Sequence, residues 1–403
     1  MCHRFCCLPR TLFANGLAFQ LPLIDLDALR AGMQWLKEKP VPAAQNLLNG
    51  ICPYFTMFPL EFPQRILKRA RKGDLVLDPF CGRGTTSFAA RLAGLSSMGV
   101  DSSPVAAAIT ASKLVIVSAD DIIQEAQSIL TDSTEVAPPQ EEFWQWAYHP
   151  EVLQSICKLR SALLEDCASS ARLALRGILL GALHGPQQKT IQSYFSNQCP
   201  RTYAPKPRYA TNFWRQRSMH PHKVDVLEIV ARRARRYYSH QIDMDGVARM
   251  GDSRNLNNLT PHVEGQKYSW IITSPPYYGM KTYIPDQWLR NWFVGGISTV
   301  QYESPDQLLH GGPEIFANDL NSVWRNAASV AKDEARLVIR FGGISDRRAD
   351  PVQLIKSSLN DSGWKITCIR NAGAATEGKR QADSFLRQKS NPVVEVDVWA
   401  SRG

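Results

Sequence analysis

The chain has 403 residues, 44% hydrophobic and 21% charged, with a formal net charge of +10. That length exceeds one minimal domain, no stretch approaches the ~20 apolar residues of a membrane helix, and no apolar leader precedes a cleavage site, so a cytoplasmic protein is expected. The positive balance suggests a polyanionic partner, while nine scattered cysteines without a Cys-x-x-Cys pair indicate neither a zinc ribbon nor a disulfide framework, so no metal site is expected.

Residues 1–50 carry little pattern. Leu26 to Lys37 can form an amphipathic helix, which Pro40 and Pro42 break. Cys2, Cys6 and Cys7 with His3 make only a weak case for a metal against a ragged N-terminus. An aromatic-rich turn follows, Cys52-Pro-Tyr-Phe-Thr-Met-Phe-Pro59, and then a helix from about Glu61 to Arg71.

Leu75-Val-Leu77 reads as a short buried strand running into Asp78-Pro-Phe-Cys-Gly-Arg-Gly-Thr-Thr86, with a helical pattern from about Ser87. Strand, glycine turn and helix let a ligand approach backbone at the carboxyl end of a parallel sheet, and Gly82 and Gly84 lack the Cβ that would block it. A second strand, Ser97-Met-Gly-Val100, ends in Asp101, an acid placed to accept hydrogen bonds from the ribose hydroxyls of an adenosine. Phosphate-binding alternatives fit poorly: there is neither Gly-Lys-Ser/Thr nor Gly-x-Gly-x-x-Gly. An acid opening the loop repels a pyrophosphate and suits a cation such as the sulfonium and ammonium of S-adenosylmethionine.

From about 106 to 245 the strand rhythm lapses into helical patterns, as at Asp121–Leu130, Val152–Leu164 and Leu173–Leu183, and a helical insertion is the simplest reading. Within it, an irregular proline-punctuated loop leads from Ser196 to Tyr209. Between 201 and 236 stand ten Lys/Arg, among them Arg201, Lys206, Arg208, Arg215, Arg217, Arg232 and Arg233, against the two acids Asp225 and Glu228. Tyr203, Tyr209, Phe213 and Trp214 are interleaved with them, a mixture suited to clamping phosphates and reading a DNA groove. A plain solvated face is the rival reading.

Strand patterns return at Val247–Met250, followed by Asp252, and at Tyr268–Ile272, which opens into Thr273-Ser-Pro-Pro-Tyr-Tyr278. Pro275 and Pro276 fix φ and remove two backbone donors. That leaves nearby carbonyls and the Ser274 hydroxyl as acceptors beside the flat face of Tyr277, which suits the exocyclic amine of a flipped-out base. Trp288, Leu289, Trp292 and Phe293 form a buried helix face, and Ala335–Phe341 is a further strand. Trp364–Arg370 and Val393–Trp399 alternate like a closing hairpin. The polar stretch between them, from Glu377 through Lys389, is a second candidate DNA-facing segment.

Asp78-Pro-Phe-x-Gly-x-Gly-Thr-Thr and Ser-Pro-Pro-Tyr together resemble the motifs of the DNA amino-methyltransferases, enzymes that methylate N4 of cytosine or N6 of adenine from S-adenosylmethionine. The resemblance covers about 51–105 and 249–400. It implies an α/β, Rossmann-like methyltransferase with a mostly parallel central sheet, built from 51–105 and 246–403, and a helical, basic insertion at 106–245 acting as target-recognition region. It further implies that Asp78, Pro79, Phe80, Cys81, Gly82, Gly84, Thr85 and Asp101 bind the cofactor, that Asp252 meets its adenine amine, and that Tyr54 and Thr56 lie against its methionine end. Tyr54 as a mere core aromatic is the alternative. Ser274, Pro275, Pro276 and Tyr277 are the implied catalytic residues. The cofactor loop precedes the catalytic loop, the reverse of many Ser-Pro-Pro-Tyr cytosine enzymes.

The expected reaction is direct methyl transfer to N4 of cytosine in double-stranded DNA. The Ser274 hydroxyl and the carbonyl of Ser274 or Pro275 would accept the amine hydrogens. Adenine N6 and an RNA base amine are the alternatives, and a restriction endonuclease is a candidate partner. A C5-cytosine mechanism is disfavoured, because the catalytic loop holds no thiol.

Overall fold

The computed structural model describes residues 44–54, 58–185, 191–197, 206–240, 242–279, 287–300, 308, 311–343, 349–374 and 394–403. The expected helix at Leu26–Lys37, the N-terminal Cys/His cluster, Thr56, Arg201, Tyr203 and the polar stretch from Glu377 to Lys389 lie outside the described residues.

Short apolar runs between turn signals build the first strands, β1 (Val76–Asp78), β2 (Ser97–Asp101), β3 (Val247–Met250) and β4 (Tyr268–Thr273). Longer ones follow at β5 (Ala331–Gly342), β6 (Trp364–Ala374) and β7 (Val394–Arg402). They join in one sheet, ordered β3-β2-β1-β4-β5-β7-β6. The five strands from β3 to β5 are parallel, and β7 enters antiparallel between β5 and β6. The expected α/β architecture is therefore present. β4, buried at all six positions, shows why a central parallel strand reads as a continuous apolar run and not as an alternation.

Helices cover both faces. Before β1 comes α1 (Glu61–Leu67), four residues shorter than expected, because the next amides fold back in tighter bonds: Arg69 to the Ile66 carbonyl and Ala70 to Leu67. After β1 comes α2 (Thr85–Leu92). The insertion contributes α3 (Pro104–Ser112), α4 (Ala119–Thr131), α5 (Glu142–Ala147), α6 (Pro150–Glu165), α7 (Ser170–Ala182), α8 (Pro207–Gln216) and α9 (Val226–Tyr237). Its starts are encoded locally. Ser118 and Asp121 form a reciprocal cap at α4, and Ser103, Ser169 and Asp225 cap α3, α7 and α9.

The remaining helices are α10 (Leu256–Leu259), α11 (Trp288–Phe293), α12 (Pro313–Ser329) and α13 (Pro351–Leu359). One core lies between the sheet and α1, α2 and the insertion helices; α12 and α13 pack into a second core. The insertion thus shares the core of one sheet face. Trp144 from α5 meets Trp288 and Trp292 from α11 at ring separations of 5.7 and 4.4 Å, and Phe143 bridges Trp288 and Trp214. The helix after the catalytic loop is thereby packed into the insertion. Arg290 of α11 ties the same parts by polar bonds, donating to the carbonyls of Leu180 and Pro53 at 3.1 and 2.7 Å.

Candidate active site

β1 and β4 are neighbours, with Leu77 opposite Ile271, so the loops that follow them emerge side by side. The Thr273 hydroxyl, last in β4, donates to Asp78 Oδ1, last in β1, at 2.6 Å. That bond joins the acid-led glycine loop to the start of the Ser-Pro-Pro-Tyr loop. Thr86, whose hydroxyl donates to the Ile272 carbonyl at 3.1 Å, fastens the first turn of α2 to the same strand.

Asp78 is fully buried. Its Oδ1 also accepts from the Phe80 amide at 3.1 Å, whereas Oδ2 has no hydrogen-bond partner among the described residues. Burial pushes the carboxyl up to about 6, against the lowering pull of the Thr273 and Thr86 hydroxyls and the Phe80 amide. A buried acid with one oxygen unanswered is costly by itself and is relieved by a cation.

The glycine loop is held open above that acid. Gly82 has φ +50, and a Cβ there would meet nothing within 4 Å; at Gly84, φ +75, a Cβ would strike Thr110 Oγ1 at 2.7 Å. Gly82 therefore faces open space, and Gly84 is needed for close packing. The Cys81 amide donates to Val100 and its thiol is buried against Thr110. Pro79 offers its carbonyl to the Ser253 hydroxyl at 2.6 Å, and Phe80 packs edge-on against Trp324. Thr85 is buried in the first turn of α2.

Asp101 Oδ2 accepts from the Gly82 amide and Oδ1 from the Ser103 amide, both at 2.9 Å. Burial raises its carboxyl above the usual range despite those bonds. Each oxygen keeps a further acceptor site for a hydroxyl donor. Asp252, just past β3, is engaged differently. It binds Arg254 through both oxygens, and Arg254 also reaches Asp319 at 3.1 Å. Burial raises its carboxyl, but the Arg254 bonds outweigh this and hold it below the ordinary value. Tyr54 is buried in the core in the turn before α1.

In the proline loop, Ser274 and Pro276 are half-buried and Pro275 is buried. The Tyr277 hydroxyl donates to Glu395 Oε1 of β7 at 2.5 Å, and its ring packs edge-on against Phe341. Gly342 makes room for that ring: a Cβ there would lie 3.1 Å from Tyr277.

Several contributors escaped the sequence reading. Lys113 is wholly buried and donates to the Arg83 carbonyl at 2.5 Å and to Asn49 Oδ1 at 3.1 Å. Arg83, buried too, donates to the Asn49 carbonyl. Desolvation lowers both cations, Arg83 to about 10. They pin the glycine loop from beneath, with partners dozens of residues away. Thr273 was visible as the residue beside Ser274, but nothing in sequence links it to Asp78.

Of the basic residues, Lys206 and Arg208 are exposed at the start of α8. Arg215 pairs with Glu142, and Arg217 lies over the Phe213 ring at 3.9 Å. Arg232 and Arg233 are half-buried and engaged within the chain. On the half-buried side of α9, they donate to the carbonyls of Gln192 and Ser193, and Arg233 also covers the Tyr194 ring. Their charge goes first into holding a loop of the chain. Among the described residues no helix is long and apolar enough to cross a membrane.

Strand order and loop placement define the class, a Rossmann-like fold of the methyltransferase type, with its ligand-binding edge at the carboxyl ends of β1, β2 and β4. Residues 33–112 match the family model described as DNA methylase, of the N6/N4 type. A 63-residue stretch is 40% identical to the Type II methyltransferase M.BsoBI of Geobacillus stearothermophilus, covering 15% of this chain and 12% of that relative. Both findings support the DNA amino-methyltransferase family for this part of the chain. Among solved structures, the rRNA methyltransferase aviRa from Streptomyces viridochromogenes overlays at a TM-score of 0.36, with 13% identity, over 90% of this chain and 94% of that one. TrmN from Thermus thermophilus overlays at 0.30 with 10% identity, over 86% and 49%. Overlays that weak carry nothing about activity.

Proposed function

We propose that the chain is a DNA amino-methyltransferase that moves a methyl group from S-adenosylmethionine to N4 of cytosine in double-stranded DNA. The observation that carries this is the 2.6 Å bond from Thr273 to Asp78, which sets a buried, half-satisfied carboxylate beside the Ser-Pro-Pro-Tyr loop. The open space at Gly82 and the unanswered Asp78 Oδ2 fit a cationic cofactor laid against the loop. Asp78 would hold its positive end and Asp101 its ribose. When bound, S-adenosylmethionine supplies a methyl group already activated by the sulfonium.

The chain's own work is done on the base. The amino nitrogen is a poor nucleophile while its lone pair is delocalised into the ring. The Ser274 hydroxyl and the carbonyl of Ser274 or Pro275 accept its hydrogens and localise that pair. Tyr277 stacks on the extruded base, a contact of ~1–3 kcal/mol. That offsets part of an unstacking cost of a few kcal/mol. Alignment of the two loops supplies proximity. Lys206, Arg208, Arg215 and Arg217 are the proposed phosphate contacts from the insertion.

The test is incubation of the purified chain with methyl-labelled S-adenosylmethionine and duplex DNA or RNA, followed by digestion and mass identification of the nucleoside. N4-methylcytosine in DNA is expected. N6-methyladenine would keep the class and change the base, while label in RNA alone, or in neither, overturns the proposal.

A further inference from the structure

On the half of the sheet away from the acidic loops, α1 on one side and β5, β7 and β6 on the other enclose a cleft of about 480 Å³. Its walls carry Arg65, Arg69, Arg340, Arg370, Asp397 and Trp399. Arg340 is spent. It makes a buried two-bond pair with Asp397, at 2.8 and 2.9 Å, and lies over Phe62. The other three guanidiniums belong to exposed residues. Arg69 and Arg370 lie over the Trp399 ring at 5.3 and 5.8 Å from its centroid, so one indole contacts two like charges. Arg65 reaches Asp397 only at 3.8 Å, with its side chain 71% exposed. Asp397 is already answered by Arg340, which leaves the cleft with an excess of positive charge even with Glu61 at its edge.

Strand register locates this cleft relative to the catalytic loop. Thr273 pairs with Ile339, so Ser274 follows level with Arg340; Arg340 pairs with Asp397, and Asp397 with Arg370. Three strand spacings of ~4.8 Å put β6 about 14 Å from β4. That is the span of about four nucleotides at ~3.4 Å each. Glu395, which receives the Tyr277 hydroxyl, stands two residues before Asp397, on the same face of β7. The cleft therefore continues the catalytic edge sideways. Beyond α1, the exposed Lys68, Arg71 and Lys72 extend the charge.

We infer that this cleft binds backbone phosphates of the DNA strand a few nucleotides from the target base, with Arg65, Arg69 and Arg370 as the contacts and Trp399 as the shelf that keeps two of them in place. The inference rests on the proposed function and adds a second phosphate site, on the catalytic sheet itself, to the one on the insertion.

The test compares the unaltered chain with the triple variant Arg65→Ala, Arg69→Ala, Arg370→Ala in fluorescence anisotropy with duplex DNA between 50 and 200 mM salt. Each lost phosphate contact removes about 0.9 from the slope of log affinity against log salt, so the slope becomes shallower by about 2.7. The loss is alike for any DNA sequence, and S-adenosylmethionine affinity stays unchanged. Lys356→Ala, on α13 in the other core layer, leaves the slope as it was. A triple variant with the unaltered slope, in a chain that binds and methylates DNA, overturns the cleft and spares the proposed function. An unaltered chain that neither binds nor methylates DNA overturns both.

Discussion

The two halves of the sheet carry opposite charge. Asp78 and Asp101 end β1 and β2, and Asp252 follows β3; across β5, β7 and β6 stand Arg340 and Arg370, with Arg65 and Arg69 arriving from α1. The acids stand at the ends of parallel strands and the arginines on an antiparallel edge and a helix, and the two sets differ further in how far each charge is already answered. On the cationic half, the buried Arg340 is fully paired and the exposed arginines surround it. On the acidic half, the most buried group, Asp78, is the one left half-satisfied. A buried charge that the fold answers serves as scaffold, and one that it leaves unanswered is a candidate binding site. The Ser-Pro-Pro-Tyr loop sits at the seam, bonded to one half through Thr273–Asp78 and to the other through Tyr277–Glu395.

The sharpest way to break this contrast is Asp78→Asn. Cofactor affinity should fall ~10–100-fold, the range for losing a charged partner worth ~1.5–3 kcal/mol. Stability should move the other way. In the folded chain the carboxyl is raised to about 6 from an ordinary 3.8, so the folded state holds its proton more tightly than the unfolded state. The contribution is therefore fully present below about pH 4 and lost as pH rises through about 6, leaving a cost of roughly 2–3 kcal/mol at neutral pH. Thermal melts of the ligand-free chain should show Tm falling from pH 4.5 to 7, and the variant should flatten that fall. Cofactor affinity, by contrast, should weaken as pH drops through about 6, because the carboxylate loses its charge. A melt profile for Asp78→Asn that tracks the unaltered chain would remove the strained acid from the account.

How much of this was legible beforehand depended on whether the signal was local. Strand–turn–helix at Leu75–Ser87 and the loop after Tyr268 are written in consecutive residues, and both stand where the sequence puts them. The apolar periodicity similarly placed helices at Asp121–Leu130, Val152–Leu164 and Leu173–Leu183, within a few residues of α4, α6 and α7. What stayed hidden is carried by contacts across long stretches of chain. Thr273 meets Asp78 from 195 residues away and Tyr277 meets Glu395 from 118. Lys113 and Arg83 look like surface cations in sequence, yet both are buried. The internal bonds of Arg232 and Arg233 were hidden in the same way, since composition does not say which side of a helix faces a loop. The cationic cleft joins α1 to β6, about 300 residues further along, so no window along the chain contains it.

A smaller effect tests the seam. Tyr277→Ala removes the stacking face and should lower transfer ~10–100-fold, in line with ~1–3 kcal/mol per stacked base. Tyr277→Phe keeps the face and deletes only the bond to Glu395, a net ~0.5–1.5 kcal/mol, so a loss of about 2- to 10-fold is expected. Single-turnover rates on a duplex substrate separate the two. Equal losses would mean that the hydroxyl, and not the ring, is the working part.

The smallest expected effect on activity divides the insertion's arginines. Arg208 is exposed at the start of α8, whereas Arg233 donates to the Ser193 carbonyl at 2.9 Å and covers the Tyr194 ring. Arg208→Ala should leave the unfolding free energy within about 0.5 kcal/mol of the unaltered chain. It should also reduce the salt slope of DNA binding by about 0.9. Arg233→Ala should do the reverse, costing ~1–3 kcal/mol through the lost charge-assisted bond with little change in slope. If instead Arg233→Ala shifts the slope and leaves the melt untouched, the α9 arginines return to the DNA-facing set. Internal bonding would then have been a poor guide to which charges the fold has already spent.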